Sequence, residues 1–416
     1  MQKIKFTKEK IGWIFYDFSN QSFVTIIVTL LFSIYFKDII VGQEEVGTAL
    51  WGRAISISMI LVACIAPIMG AIADYTQTRK KLLIIFSYIT IILTMMLYFV
   101  NKGDVFLGML FFIIANFGYS MGTVLYNSFL PDIAEKQEIG RLSGLSWGLS
   151  YLGGLLSLFV IYPIIKLDLQ EHLSYRYSFV IVGLMFAIFS LPTFLWLKER
   201  KKTREQQKNF IFGGFKRILE TAKNVKKYKE LIKFLFSFFL YTNAILVVVF
   251  FAAIYGSSRF GMTSMDMLKY FIIAQPSSFL GAAIFGHVLE RIGAKNSINI
   301  TLIIWFLVII GAYFCSTINQ FYLVGVGAGF AMGSSQANSR SLLALFTPIN
   351  KTTEFFGFYS VISCAASILG PLIYGEIARI TNDQRNSILS ILIFFVLGFI
   401  FLQFVDEKKG QEAARS

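Results

Sequence analysis

Stretches of about twenty predominantly apolar residues recur along this sequence from end to end, each long enough to cross a hydrocarbon layer about 30 Å thick as an α-helix. In lipid a chain must satisfy its backbone N–H and C=O groups internally, which a helix does within each segment. The pattern predicts twelve transmembrane helices near residues 13–36, 51–73, 82–100, 105–128, 142–165, 176–197, 231–255, 268–288, 297–315, 321–341, 355–378 and 387–405. Of 416 residues, 56% are hydrophobic and 15% charged, whereas soluble globules carry about a quarter charged residues. An all-α membrane protein is therefore expected, with no soluble domain of useful size between its helices.

The net charge of +14 would suit a nucleic-acid partner, but its placement argues against one. The basic residues gather in alternate connections, about 28 Lys and Arg on one side against about 9 on the other, which is the positive-inside pattern. It predicts both termini in the cytoplasm and the even helix count; the lack of a targeting segment makes a bacterial cytoplasmic membrane the expected setting, with an organellar membrane the alternative. The apolar stretch behind the basic residues 1–13 is too long for a signal peptide and reads as a retained first helix. Cys64, Cys315 and Cys364 imply no disulfide framework. His172 and His287 are the only histidines, so neither a metal cluster nor a histidine-based catalytic triad is expected. Nucleotide-binding loops are missing as well: Gly325, Gly327 and Gly329 lack the required spacing and preceding strand. The expectation is a chain with no enzymatic activity and no cofactor.

The sequence divides into a first bundle at 1–197, a basic linker at 198–230 and a second bundle at 231–416. Phe215, Ile218, Leu219, Ala222 and Val225 recur at helical spacing in the linker, predicting an amphipathic helix on anionic lipid headgroups. The two bundles are a repeat. Gly70, Asp74 and Arg79 match Gly286, Glu290 and Lys295 with the same spacings, and Pro131, Gly140 and Gly153 match Pro348, Gly357 and Gly370 at one constant offset. The acids and bases at these helix exits suit a latch between rocking bundles, against the simpler reading of solvated loop charges. Glycines at every fourth position, Gly140, Gly144 and Gly148 in helix 5 and Gly325, Gly329 and Gly333 in helix 10, suit close helix contact.

The segment GAIADYTQTRKK, residues 70–81, resembles the loop signature of the major facilitator superfamily. GWIFYDFSNQSF in helix 1, LYNSFLPDIA followed by GRLSGLSWGLSYLGG, FFAAIYG in helix 7, and SRSLLALFTP followed by FFGFYS and LGPLIYG resemble the vacuolar amino-acid effluxers, autophagy-related fungal transporters with bacterial relatives. These blocks run from residue 12 to residue 375. The resemblance implies two pseudo-symmetric six-helix bundles in the major facilitator fold, a cavity between helices 1, 4, 7 and 10, rocker-switch exchange, and amino acids or similar small polar solutes. The sequence departs from the family where members often carry an acid, at Tyr241 to Ala244, and a lysine, at Cys364.

Charge inside a membrane is costly and is usually kept for a partner, a substrate or an ion path. Asp17, a turn inside helix 1, is the main candidate for coupling to a proton, with Glu376 a weaker one; a structural ion pair is the alternative. Arg340 ends helix 10 at the same membrane face, so a gating pair with Asp17 is allowed. Arg141 joins Asp74, Arg79, Glu290 and Lys295 as a coupling or gating candidate. Polar side chains near the midplane are candidates for solute binding: Asn20, Gln21, Asn116, Asn243, Gln275, Ser335, Gln336 and Asn338. Such amides and hydroxyls also glue helices together. Trp147, Tyr151 and Tyr359 suit cavity walls or ordinary packing. The expected function is secondary or facilitated transport of a small polar solute, with or without a proton, by a monomer among membrane lipids. A receptor or scaffold that has lost coupling, and a carrier of lipids or amphiphiles, are the alternatives.

Overall fold

The computed structural model describes residues 6–134, 139–167, 169, 172–199, 228–347 and 352–415; the amphipathic linker lies outside them apart from its ends. Among the described residues all regular structure is helical. Helix α1 runs Lys8–Val41, α2 Glu44–Thr76, α3 Arg79–Met96, α4 Val105–Asn127, α5 Ile139–Lys166 and α6 Leu173–Trp196. The second half repeats this with α7 Lys229–Phe260, α8 Ser264–Ile292, α9 Ala294–Phe314, α10 Ile318–Phe346, α11 Thr352–Thr381 and α12 Gln384–Gln403, before a short α13 at Glu407–Arg415.

Most rods outrun their apolar cores, because capping residues set their ends. The Thr7 hydroxyl accepts from the Lys10 N–H at 3.3 Å to start α1, and Gly42, at φ 69°, stops it. Between these ends α1 changes pitch. Phe23–Leu30 and Tyr35–Val41 wind as π-helix, the Leu31 N–H reaching back to the Ile26 carbonyl. Such wide turns are uncommon and concentrate at functional sites. They carry α1 beyond residue 36, so Lys37 is a helical residue and not part of a loop.

Among the described residues eleven helices are long and apolar enough to cross a membrane. The other, α10, is as long as its neighbours but rich in small residues, because it packs backbone to backbone on α8. A Cβ at Gly333 would collide with the Ser278 carbonyl, and one at Gly329 with the Ala274 carbonyl.

The packing obeys the repeat. In the first half α1 packs on α5 and α6, α3 on α4, and α2 on α4; in the second, α7 packs on α11 and α12, α9 on α10, and α8 on α10. Between halves the main seams are α2 with α11 and α5 with α8, each the counterpart of the other. The matched glycines do matching work: a Cβ at Gly153 would strike the Phe18 carbonyl of α1, and one at Gly370 would come within 2.8 Å of the Asn243 carbonyl of α7.

Among the described residues, the hydrogen bonds between the halves gather toward one end of these seams. Near the face opposite the termini, Ser56 donates to the Ile368 carbonyl at 2.8 Å, the Trp51 indole to the Phe250 carbonyl at 3.1 Å, and Gln384 to Thr48 at 3.1 Å. Toward the face bearing both chain ends, Gly70 of α2, Gly144 of α5 and Gly286 of α8 have open space where a Cβ would stand. The glycine run of α5, expected in close contact, is splayed from α8 here, with Gly148 at ordinary distance from Phe279, 3.8 Å. The bundle therefore opens toward the face of the termini.

Candidate functional site

Asp17 of α1 stands on the side of the bundle that faces the chain ends. Its Oδ2 accepts from the Ser146 hydroxyl of α5 at 2.7 Å, and Ser146 also pairs with the Tyr126 hydroxyl of α4 at 3.0 Å. Tyr126 is fixed in turn by a stack on Trp13, ring centres 4.4 Å apart, and by the Trp13 indole donating to its carbonyl at 3.1 Å. Tyr16 stacks on Tyr126 from the other side and pairs with Ser87 at 3.0 Å. A carboxylate braced in this way presents one geometry to a ligand.

The second half supplies the opposite charge. Arg340 of α10 lies over the Trp147 ring, 4.9 Å from its centre, and acts electrostatically on Asp17 and on the Tyr151 and Tyr359 hydroxyls. Asp17, Trp147 and Arg340 are each only partly covered. An acid from one half and a base from the other thus come together beside the Trp147 ring.

The remaining solute-site candidates separate into two sets. Asn116 donates to Ser58 at 2.7 Å inside the first half. Asn243 donates to the Phe239 carbonyl at 2.8 Å and accepts from the Gly370 N–H at 3.1 Å inside the second. Ser335 accepts from the Trp305 indole at 2.9 Å. Expected to meet the solute, these three instead join helices within one half, because a buried polar group takes the partner that packing brings nearest. Asn338, also inside the second half, is fully buried with both amide atoms unpartnered among the described residues. Gln21 and Gln336 are half-buried, one turn from Asp17 and Arg340, Asn20 is buried beside Asp17 in sequence, and Gln275 bonds to Thr25 across the halves at 3.2 Å.

The expected latch takes a different form. Arg79 donates to Asp132 at 2.6 Å, to Glu199 at 3.0 Å and to the Ser128 carbonyl at 3.2 Å, all within the first half. Glu199 also caps α3 through the Lys80 N–H at 2.7 Å. The second half copies this cap, with Glu407 accepting from the Ala294 and Lys295 N–H groups at 3.3 and 3.0 Å, while Lys295 Nζ donates to the Gln403 and Val405 carbonyls at 2.9 and 2.7 Å. Among the described residues Arg79 and Lys295 therefore brace each bundle internally and make no contact from one bundle to the other. The side chains of Asp74, Arg141 and Glu290 lie outside the described residues.

The inter-half lock sits at the far face. Lys37, 2% exposed, donates to Ser257 and Ser258 of α7 at 3.1 and 2.8 Å and pairs with Asp38 at 2.9 Å. Arg53 pairs with Glu376 at 2.5 Å, so Glu376 serves this lock and stands away from Asp17. Sequence reasoning missed Lys37, although Ile39, Ile40 and Val41 after it are the signal that the helix continues. Ser146 gave no signal beyond its place in a glycine-rich helix.

Residues 47–415 match the family described as vacuole effluxer Atg22 like. The chain belongs to that family. It is 28% identical to the uncharacterized MFS-type transporter YxiO of Bacillus subtilis over 99% of this chain and 98% of the relative. It is 24% identical to autophagy-related protein 22 of Kluyveromyces lactis over 86% of this chain and 80% of the relative. Among solved structures the fold is similar to the nucleoside transporter NupG (TM-score 0.70, 17% identity, 95% and 98% of the two chains) and to a D-xylose-proton symporter (0.67, 14%, 97% and 98%). This Atg22-like chain is thus a multi-pass membrane transporter of the major facilitator fold and not an enzyme.

Proposed function

We propose that this transporter carries a small zwitterionic solute, in the simplest case an amino acid, by alternating access between its two bundles. The observation that carries the reading is the approach of Asp17 and Arg340 from different halves beside the Trp147 ring. A carboxylate receives an ammonium group and a guanidinium forks onto a carboxylate. A solute holding both charges draws the halves together on the side that is open here. The family description as an effluxer supports export. The basic residues near the termini support a cytoplasmic placement of both chain ends in a bacterial membrane.

Purified protein in liposomes tests this through counterflow of labelled amino acids. Exchange is expected, and Asp17→Ala and Arg340→Gln should each slow it at least tenfold. If no amino acid exchanges in a monodisperse, correctly inserted preparation, the proposal fails.

A further inference from the structure

A second polar position lies farther along α1, between the two halves. Asp17, Gln21 and Thr25 recur every fourth residue, so one flank of α1 carries all three over about 12 Å. At its deep end, in the π-helical stretch, the Thr25 hydroxyl accepts from Gln275 Nε2 of α8 at 3.2 Å. Gln275 is 8% exposed, and its Oε1 has no partner among the described residues. Turning the amide over exchanges its two ends and still leaves one unsatisfied. Pro276, having no N–H, also leaves the Ile272 carbonyl without its regular helical donor.

The close approach at this junction depends on a missing side chain. A Cβ at Gly154 of α5 would come within 2.8 Å of both Gln275 Nε2 and Thr25 Oγ1. Three helices from two halves thus converge on this amide, whose buried oxygen has no donor among the described residues. A buried acceptor without a donor is destabilising, and it rejects a ligand unable to supply one.

We infer that Gln275 is a specificity-determining residue, held by Thr25, that accepts a hydrogen bond from a second donor on the solute. This rests on the zwitterion reading above. With Asp17 on the ammonium group and Gln275 beside Thr25, two turns farther along α1, the second donor lies at a distance of several bonds from the ammonium group. A side chain such as that of glutamine or lysine spans this distance, and that of alanine does not.

Counterflow by the full chain in liposomes, with L-glutamine, L-lysine and L-alanine as probes, tests the inference. The unaltered protein should favour glutamine over alanine at least tenfold in kcat/KM. Gln275→Leu should bring that ratio to about one, and Gln275→Glu should shift preference toward lysine over glutamine about tenfold. Should Gln275→Leu fail to fold, Gly154→Ala, which pushes the amide off Thr25, should lower the glutamine to alanine ratio in the same direction. Equal use of glutamine and alanine by the unaltered protein overturns the inference. So does a Gln275→Leu variant that slows both solutes alike, since a packing role does that. Absence of all amino-acid exchange overturns the parent reading too, whereas alanine exchange without the preference overturns this one alone.

Discussion

At the residue scale, the buried charges divide into those that hold the protein together and those that face the opening. Arg79 belongs to the first kind. Removing one member of a buried ion cluster leaves its partners charged and unpaired, which typically costs about 3–5 kcal/mol. Arg79→Met should therefore lower the apparent melting midpoint of the detergent-solubilised protein by several degrees, through Asp132 and Glu199. An unchanged midpoint would show that the cluster is not structural. Asp17 belongs to the second kind. Asp17→Asn keeps an acceptor for an ammonium group but cannot carry a proton, so counterflow should persist while accumulation driven by a pH gradient disappears. Persistent accumulation would remove Asp17 from coupling. Asp17 and Arg340 were legible in the sequence because charge is rare in apolar runs. The Arg79 cluster was not, because its partners arrive from the α4–α5 connection and from beyond α6, and spacing along one helix says nothing of such convergence.

At the scale of the element, hydropathy delivered the helices and misjudged their limits. Apolar length locates what lies in hydrocarbon, whereas Thr7 and Gly42 decide where α1 begins and ends. The α10 helix shows the opposite failure: small residues make it weakly apolar and let it pack closely on α8. Asn116 and Asn243 were readable as polar residues in membrane helices, but helix rotation determined that they face neighbours. The matched glycines carry a direct consequence. Gly370→Val places branched carbons against the Asn243 carbonyl, and overpacking of this kind costs about 1–3 kcal/mol or more. Folded yield, measured by fluorescence-detected gel filtration, should fall well below that of Gly42→Ala, whose Cβ would meet open space at a strained φ of 69°. Equal yields would mean that the α7–α11 contact relaxes freely.

For the whole molecule, duplication visible in a few spaced residues became a symmetric pattern of helix contacts, α2 with α11 and α5 with α8. What no repeat discloses is which end of those seams is closed, since both conformations of an alternating carrier use the same sequence. Here the far face is closed by Lys37, Arg53 and Glu376, and the face of the termini is open. Two states of comparable stability exchange when a ligand binds one better. A disulfide between Arg53→Cys and Glu376→Cys should hold the far face shut and stop counterflow, and reduction should restore it.

We propose that solute binding between the halves moves the opening from one face to the other. Spin-label distances in lipid nanodiscs report this most directly, with pairs at Val46→Cys and Ile380→Cys on the far face and Gly144→Cys and Gly286→Cys toward the termini, Cys64, Cys315 and Cys364 being replaced by alanine. Adding transported solute should populate longer far-face distances and shorter distances near the termini, and Arg340→Gln should suppress both changes. Distances that stay fixed at both faces under saturating solute would contradict the account.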